Sequence, residues 1–333
     1  IYSFESYKAH VHDDERPIDR ADLSLLDEAG INNYILQMKL NRPYFSKLSE
    51  EQIYELLSIT RNGVPTLASI LNFGIYPQGL LPQLAITATV IPGTEIGETT
   101  NDGVRFLDNK RIEGTLSEML DEAIAFCNRN MRTQTIIDSK TGKRNDKTEY
   151  PINAIREAIL NALIHRDYSI HTEGTTIQIS FFTDRLEIHS PGSLYGRMTV
   201  NDLGKARPDL RNPALATMSE FLLKTENRYS GIPTIRREMQ EYGLPEPLFE
   251  NRRNEFVVTL FNKPETSINN SEDNTDLLAF CKTPRTRQEI SDYLDLKTVY
   301  FVTKNYIQPL VNQGKLKLLD PDKPKSKNQK YYS

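Results

Sequence analysis

The most regular hydrophobic pattern in the chain lies in the segment 149–169. Apolar residues recur there with helical spacing, at Ile152, Ile155, Ile159 and Leu163. Pro151 precedes them and suits a first helical turn. A second line of the same helix is polar and repeats every four residues, at Asn153, Glu157, Asn161 and His165. Because residues four apart lie on one face, this polar line runs beside a core-facing stripe and is either solvated or turned toward a ligand.

Before this helix, the pattern predicts a mixture of helices and strands. Two capping boxes, in which Ser or Thr is followed three residues later by Gln or Glu, mark helix starts at Ser49 with Gln52 and at Thr115 with Glu118. The predicted elements are helices at about 22–39, 49–61 and 115–130, strands at 66–73 and 84–91, and a hairpin between 133–137 and 148–150.

After the central helix, the alternation of apolar and polar residues predicts two antiparallel strands, 175–183 and 185–189, joined near Asp184. Asn212 and Pro213 have the residue types of a helix cap and a first helical position. Another helix is predicted to run through Tyr242, and the strand 255–261 closes the region.

The last part of the chain has a recognisable order of elements. Helices are predicted at 276–282, 285–293 and 297–313, followed by strands at 316–319 and 330–332. Three helices followed by a two-stranded wing are typical of a winged helix-turn-helix.

Length and composition favour a globular chain with more than one domain. The 333 residues are enough for two or three domains, and no apolar run approaches the roughly 18 residues of a membrane helix. The two cysteines, Cys127 and Cys281, are too few for a disulfide framework and fit a reducing cytoplasm. Because the first residue is Ile1 rather than Met, we expect the sequence to be part of a longer chain.

The net charge of −4 conceals an asymmetry along the chain. Residues 283–333 contain ten Lys and Arg against five Asp and Glu, whereas the remainder contains 31 against 40. A basic C-terminal module on an acidic body indicates an anionic partner such as nucleic acid.

Glu157 and Asn161 form the sharpest candidate for chemistry. An Asn side chain supplies a neutral carbonyl oxygen that can bind Mg²⁺, and a Glu one turn away can orient or deprotonate a water molecule. Phosphate hydrolysis requires both roles. By itself the spacing is also that of two polar residues on a helix edge.

The surroundings of this pair resemble the GHKL (histidine-kinase-like) ATPases, and more narrowly the ATP-binding module described as the C-terminal part of RecG-like helicases. The resemblance rests on Glu157-x-x-x-Asn161-Ala162, on the run from His165 to Tyr168, and on the strand pair ending in Ser190-Pro191-Gly192. It implies that Glu157 serves the water and Asn161 the Mg²⁺ of a bound ATP. It also implies an α+β fold with a GHKL-like α/β sandwich.

The second GHKL motif, Asp-x-Gly-x-Gly, is altered. Gly192 matches its glycine, but Ser190 stands where the Asp that reads the adenine amino group would be. A Ser hydroxyl can hydrogen-bond the base directly or through water. His165 and Arg166 belong to the resembling run, and Arg166 pairs either with a phosphate or with Asp167.

Further phosphate contacts are predicted at two helix N-termini, which attract anions. Arg211 precedes one, and Ser230 with Gly231 precedes the other; ordinary capping is the alternative at each. No Gly-x4-Gly-Lys-Ser/Thr loop occurs, which excludes P-loop motor activity.

In the tail, the predicted recognition helix carries Lys297, Thr298, Tyr300 and Lys304. The wing carries Lys323, Lys325 and Lys327. The early residues of such a helix meet base edges, and wing lysines meet phosphates. We expect these residues to bind double-stranded DNA; the alternative is a winged helix that contacts only proteins.

The expected organisation follows from these segments. Residues 1–48 are expected to be the tail of a Schlafen/AlbA-type region that mostly precedes Ile1, because 64–132 resemble the segment following such a domain. An α+β region follows at 49–133, a GHKL-like domain at 134–263, a linker at 264–275 and the winged helix at 276–333.

The favoured function is a cytoplasmic, bacterial-type transcriptional regulator whose ATP site is coupled to DNA binding, with a second copy of the chain as a candidate partner. The alternatives are a slow Mg²⁺-dependent ATPase acting on DNA and a scaffold that binds no nucleotide.

Overall fold

The computed structural model describes residues 12–137, 144–207, 209–223, 230–262, 277–294, 299–321, 323, 326 and 329–333. The chain divides into two compact units, Ile1–Asn262 and Lys263–Ser333. The predicted linker, 264–275, and the turn of the predicted hairpin, 138–143, lie outside the described residues.

The first unit is built on a six-stranded sheet. The described strands of this unit are β1 (Thr60–Arg61), β2 (Val64–Pro65), β3 (Ile86–Val90), β4 (Asp108–Ile112), β5 (Thr133–Ile137), β6 (Arg144–Thr148), β7 (Ile177–Phe181), β8 (Arg185–Pro191), β9 (Leu248–Arg252) and β10 (Glu255–Phe261). The large sheet has the order β4-β3-β7-β8-β10-β9, and its pairs are antiparallel except β3 with β7. The pairs β1–β2 and β5–β6 form separate two-stranded sheets.

Eight α-helices are described in this unit, and several pack on the large sheet. They are α1 (Glu28–Asn41), α2 (Glu50–Leu56), α3 (Leu67–Phe73), α4 (Pro77–Leu80), α5 (Leu116–Asn130), α6 (Ile152–His165), α7 (Pro213–Leu222) and α8 (Gly231–Glu241). Together with the sheet they confirm the predicted α+β class. No described helix is long and apolar enough to cross a membrane.

Both predicted capping boxes are present. The Ser49 side chain accepts from the Gln52 amide, and the Thr115 side chain accepts from the Glu118 amide, each with the reciprocal bond. The helix that Ser49 opens is shorter than predicted, because Ser58 adopts a left-handed conformation with φ of 55° just after α2.

The predicted strand at 66–73 is wrong: this segment is the helix α3. Thr66 caps it by accepting from the Ser69 amide at 3.1 Å. Its apolar residues are buried around most of its circumference, at Leu67, Ala68, Ile70, Leu71 and Phe73. In a short, continuous apolar run, periodicity does not distinguish a buried helix from a buried strand, which explains the error.

The central helix α6 starts at Ile152 and ends at His165. Three of the four predicted apolar residues lie on its buried side, and Ile152 is partly buried. The buried side comprises Ala154, Ile155, Ala158, Ile159, Leu160, Ala162, Leu163 and Ile164. This side joins the main hydrophobic core, which also contains residues of α5, α7, β7 and β8. The polar line is thereby directed away from the core.

The second unit has its own core, to which eight buried residues of its described part belong. Residues 277–280 are helical, α9 is Arg287–Tyr293, and a longer helix runs from Val299–Val302 through a π-helical segment, Thr303–Ile307, to Gln308–Asn312. Its strands β11 (Arg285–Thr286), β12 (Lys317–Leu318) and β13 (Lys330–Tyr332) form a sheet in the order β11-β13-β12. The strand β11 occupies the start of the helix predicted at 285–293.

We expect Thr115→Ala to lower the free energy of unfolding by about 1 kcal/mol, the usual cost of removing a helix cap. Urea titration followed by circular dichroism measures this change. Thr115→Ser keeps the hydroxyl and is expected to restore most of the loss; equal stability of wild type and Thr115→Ala would show that this capping box contributes nothing.

Candidate functional site

A cavity of about 570 Å³ lies beside the polar line of α6. Its size is typical of small-molecule sites. Ile188, Phe256 and Val258 contribute apolar side chains from the sheet. Eight of the nine residues predicted for the nucleotide line this cavity: Glu157, Asn161, His165, Ser190, Gly192, Arg211, Ser230 and Gly231. Residues spread over 75 positions of sequence are thus brought together around one cavity.

The first residue of α8 lies directly against the Glu157 and Asn161 side chains. A Cβ atom added at Gly231 would lie 2.9 Å from Asn161 Nδ2 and 3.1 Å from Glu157 Oε2. Glycine therefore lets the helix N-terminus approach both polar groups closely. Asn161 Nδ2 is buried and has no hydrogen-bond partner among the described residues, and the Ser230 side chain makes no capping bond.

These features fit a magnesium-bound phosphate. Mg²⁺ is commonly held by one or two protein oxygens, with the remaining ligands supplied by phosphates and water. The Asn161 amide can supply one such oxygen, since the two ends of an amide are interchanged by a simple flip. The N-terminus of α8 adds backbone amides and a favourable dipole for an anion.

Ser190 lies at the end of β8 and is 7% exposed. Its hydroxyl donates to the Ala162 carbonyl oxygen of α6 at 3.2 Å. Because its single hydrogen is already used, Ser190 offers a ligand only acceptor lone pairs. An amino group would be matched by such an acceptor.

Gly192 forms the turn after β8 with φ of 99°, a conformation that favours glycine. A Cβ atom here would collide with Asp167 and with the Arg211 guanidinium. The glycine therefore permits Asp167 and Arg211 to pack over the turn at the edge of the cavity.

The Arg211 side chain is held from several directions. Its Nη2 donates to the Ser193 carbonyl oxygen at 2.7 Å, and its guanidinium lies 5.1 Å from the Tyr195 ring centroid. Asp167 is a more distant ionic partner at 3.9 Å. Desolvation by the surrounding protein, and secondarily the charge of Arg211, lower the pKa of His165.

The N-terminus of α7, predicted as a second phosphate site, already has an acceptor. Asn212 and Pro213 occupy the predicted cap and first positions, but Asn212 makes no side-chain capping bond. Its amide instead donates to the Ile164 and Arg166 carbonyl oxygens, each at 2.8 Å. Asp14 Oδ2 accepts from the Leu215 amide at 2.9 Å. Of the two helix N-termini, α8 is thus the one suited to an anionic ligand.

Arg166 does not line the cavity, and neither predicted pairing describes it. The residue is 2% exposed, and its guanidinium donates to the Thr172 and Thr175 carbonyl oxygens at 3.0 and 2.7 Å. With Asp167 it contacts the main-chain oxygen rather than the carboxylate. Arg166 therefore stabilises the loop between α6 and β7, because it satisfies carbonyl groups that no strand pairs.

Sequence reasoning missed Asp14, His12 and Tyr195. Asp14 is fully buried although it belongs to a short polar run, and its partner Leu215 is 201 positions away. No local pattern marks such a contact. Tyr195 directly follows the Ser190–Leu194 turn. Its position next to a turn predicted to contact the ligand was the one signal that could have marked it as a site residue.

The predicted DNA-binding residues are only partly described. Lys297, Thr298, Lys325 and Lys327 lie outside the described residues, and the side chains of Tyr300 and Lys304 are likewise not described. Lys323 is exposed, as are three further lysines around the small sheet, Lys315, Lys317 and Lys330.

The six-stranded sheet and the helix α6 both contribute residues to the cavity. Residues 174–260 match the family described as "Putative ATP-dependent DNA helicase recG C-terminal", which supports an ATPase-like domain in this chain. This match contains Ser190, Gly192 and Arg211 but begins after α6, so Glu157 and Asn161 lie outside it. Residues 274–332 match "Filamentation induced by cAMP protein Fic-like, C-terminal domain".

One solved structure, the DIP2311 protein from Corynebacterium diphtheriae, has a similar fold over most of the chain. It is 19% identical with a TM-score of 0.57, and the match covers 92% of this chain and 61% of that protein. At this identity the likeness concerns the fold alone. No curated protein matches the chain.

Asp14→Asn is expected to change how stability depends on pH. Burial raises the pKa of Asp14 to about 6 from 3.8, against the opposing effect of the Leu215 amide. A carboxyl group whose pKa is raised by folding stabilises the folded state in its protonated form. This contribution is complete below pH 3.8 and is lost as the pH rises through about 6. At pH 8 the variant should therefore be more stable than wild type, by up to about 3 kcal/mol, and at pH 4 the two should be similar.

Thermal unfolding measured at pH 4, 6 and 8 tests this expectation. Asp19→Asn, at an exposed position, controls for the loss of one negative charge. A constant difference between wild type and Asp14→Asn across this range would contradict the shifted pKa.

Proposed function

We propose that the cavity binds ATP or a closely related nucleotide together with Mg²⁺. The observation that carries this proposal is the approach of the α8 N-terminus to Glu157 and Asn161, which Gly231 permits. Helix amides, an amide oxygen and a carboxylate then surround one small volume, as a metal-bound polyphosphate requires. The match of residues 174–260 to an ATPase-like family supports the same ligand class.

Each part of the nucleotide has a candidate partner. Asn161 would hold the metal, the backbone amides from Gly231 onward would hold phosphate oxygens, and Arg211 would add a positive charge. Bound Mg²⁺ would neutralise charge on the phosphates. Ser190 would accept from the amino group of the base, beside the apolar side chains of Ile188 and Phe256.

We also propose that the bound nucleotide is hydrolysed, with Glu157 as the base. Glu157 lies one turn before Asn161, and its carboxylate is half-buried with Arg156 at 3.7 Å. A carboxylate so placed can orient a water molecule and take its proton. The outcome would be a slow ATPase whose nucleotide state biases dimerisation or DNA affinity.

Calorimetric titration with ATP and Mg²⁺ is expected to separate the roles of the two residues. Asn161→Ala should weaken binding at least tenfold, because it removes the metal ligand. Glu157→Ala should bind with similar affinity and lose phosphate release in a steady-state assay, by roughly the 10²- to 10⁴-fold typical of general-base loss.

The matched control is Asn153→Ala, which alters an exposed Asn two turns earlier on the same helix line. It should bind and hydrolyse like wild type. Equal turnover by Glu157→Ala and wild type would exclude Glu157 as the base. Absence of binding heat with wild type would favour the scaffold that binds no nucleotide, to which the Ser190 replacement points.

We further propose that the tail is a winged helix that binds double-stranded DNA, which would make the chain a nucleotide-responsive, cytoplasmic transcriptional regulator. Support comes from its three helical segments, its three-stranded sheet and the exposed lysines at Lys315, Lys317, Lys323 and Lys330. The excess of five positive charges in 283–333 agrees with an anionic partner.

The double variant Lys297→Ala/Lys325→Ala is expected to weaken binding to duplex DNA and to reduce the slope of log K against log salt by about 2. Fluorescence anisotropy over roughly 50 to 200 mM salt measures both the affinity and the slope. Lys39→Ala/Lys47→Ala, at exposed positions of the first unit, is the control. Unchanged affinity at low salt in the first double variant would show that DNA does not bind on this face.

A further inference from the structure

A segment far from the cavity in sequence is attached to one of its walls. Residues Asp13–Glu15 form a single 3-10 turn that packs against α7. His12, which precedes the turn, lies with Nδ1 3.1 Å from the Arg211 carbonyl oxygen. Asp14, inside the turn, accepts from the Leu215 amide. The two contacts bracket the N-terminus of α7.

Asp14 supplies what the local sequence of α7 does not. The first amides of a helix need acceptors from outside the helix, and the cap residue usually provides one. Here the Asn212 side chain is committed to the end of α6, through the Ile164 and Arg166 carbonyl oxygens. The Asp14 carboxylate takes over the capping role, and it is fully buried there.

The capped end of α7 is also the place where Arg211 enters the cavity. Arg211 directly precedes the cap residue, and its guanidinium is fixed to the Ser193 carbonyl oxygen and over the Tyr195 ring. Its main chain is fixed by His12 and, through the next turn, by Asp14. A guanidinium whose main chain and side chain are already held in place loses less conformational entropy when it binds a phosphate oxygen.

We propose that Asp14 is a positioning residue for the cavity: by capping α7 from the distant segment 12–16, it fixes Arg211 and so sets nucleotide affinity. This inference rests on the proposed nucleotide function. It assigns to Asp14 an effect on binding through Arg211, without contact with the ligand.

The same geometry links ligand affinity to the docking of the segment itself. Arg16 donates to Glu173 at 2.6 Å, and its carbonyl oxygen accepts from the Leu67 amide. The segment is therefore held by α3 and by the loop before β7 as well as by α7. Because binding free energies are reciprocal, a change that undocks 12–16 lowers nucleotide affinity, and bound nucleotide strengthens the docking.

The competing explanation is a purely structural cap. Losing the cap would then lower stability and leave the cavity unchanged. Thr115→Ala provides the matched comparison, since it also removes a helix cap but on α5, whose capping residues do not line the cavity.

The experiment measures the Kd of Mg²⁺ with a non-hydrolysable ATP analogue by calorimetry, together with thermal unfolding. Both Asp14→Ala and Thr115→Ala are expected to unfold at lower temperature. Asp14→Ala alone should raise the Kd, by about five- to tenfold, a common coupling between residues in one network. Asp14→Asn, which keeps an acceptor for the Leu215 amide, should restore the Kd to within about twofold of wild type.

A double-mutant cycle with Arg211→Ala then tests the route of the effect. If Asp14 acts through Arg211, Asp14→Ala should not weaken binding further once Arg211 is absent. Hydrogen exchange gives a second readout without nucleotide: the amides of α7 should exchange faster in Asp14→Ala than in Asp14→Asn.

Each alternative outcome is decisive. Equal Kd values for wild type, Asp14→Ala and Thr115→Ala would leave Asp14 a structural cap and overturn this inference alone. An equal loss from Asp14→Ala in the presence and absence of Arg211 would also overturn it. If wild type binds no nucleotide, the proposed function fails, and this inference fails with it.

Discussion

The architecture depends on one constraint, which is that α6 must serve two environments at once. Its small and branched apolar residues, such as Ala158 and Ile159, are buried at 1% exposure or less and hold the helix on the sheet. On another side of the same helix, Glu157 and Asn161, which are one turn apart, face the cavity. Any rotation of the helix that improved one face would disturb the other. The position of the polar pair is therefore set by the hydrophobic core rather than by the ligand.

At two other places around the cavity, a glycine allows neighbouring groups to approach the main chain closely. Gly231 lets a helix end reach the polar pair, and Gly192 lets Asp167 and Arg211 close over the turn after β8. Between them, Ser190 donates its hydroxyl hydrogen to α6 and so ties the sheet to the helix. The site is thus made by main-chain geometry as much as by functional side chains, and conservative substitutions at either glycine would alter it.

The sequence predicts those parts of the fold and site whose signals are local. Capping boxes located the starts of α2 and α5, alternation located β7 and β8, and four-residue spacing grouped Glu157, Asn161 and His165. Errors arose where the deciding interactions are distant. The segment 66–73 is apolar on most sides because it is buried among other elements, and Arg166 binds carbonyl groups of a loop whose path no local pattern specifies. Asp14 is the extreme case, with its partner 201 positions away.

That contact bears on how the chain folds. A helix capped by the residue that precedes it completes its first turn with a local contact, whereas α7 receives its acceptor from a residue 201 positions earlier. Contacts of such large sequence separation carry a high loop-closure cost and form late. The contact between Asp14 and Leu215 is therefore expected to form after local contacts such as the pairing of β7 with β8. Removal of the first 16 residues would weaken the start of a helix in the second half of the chain.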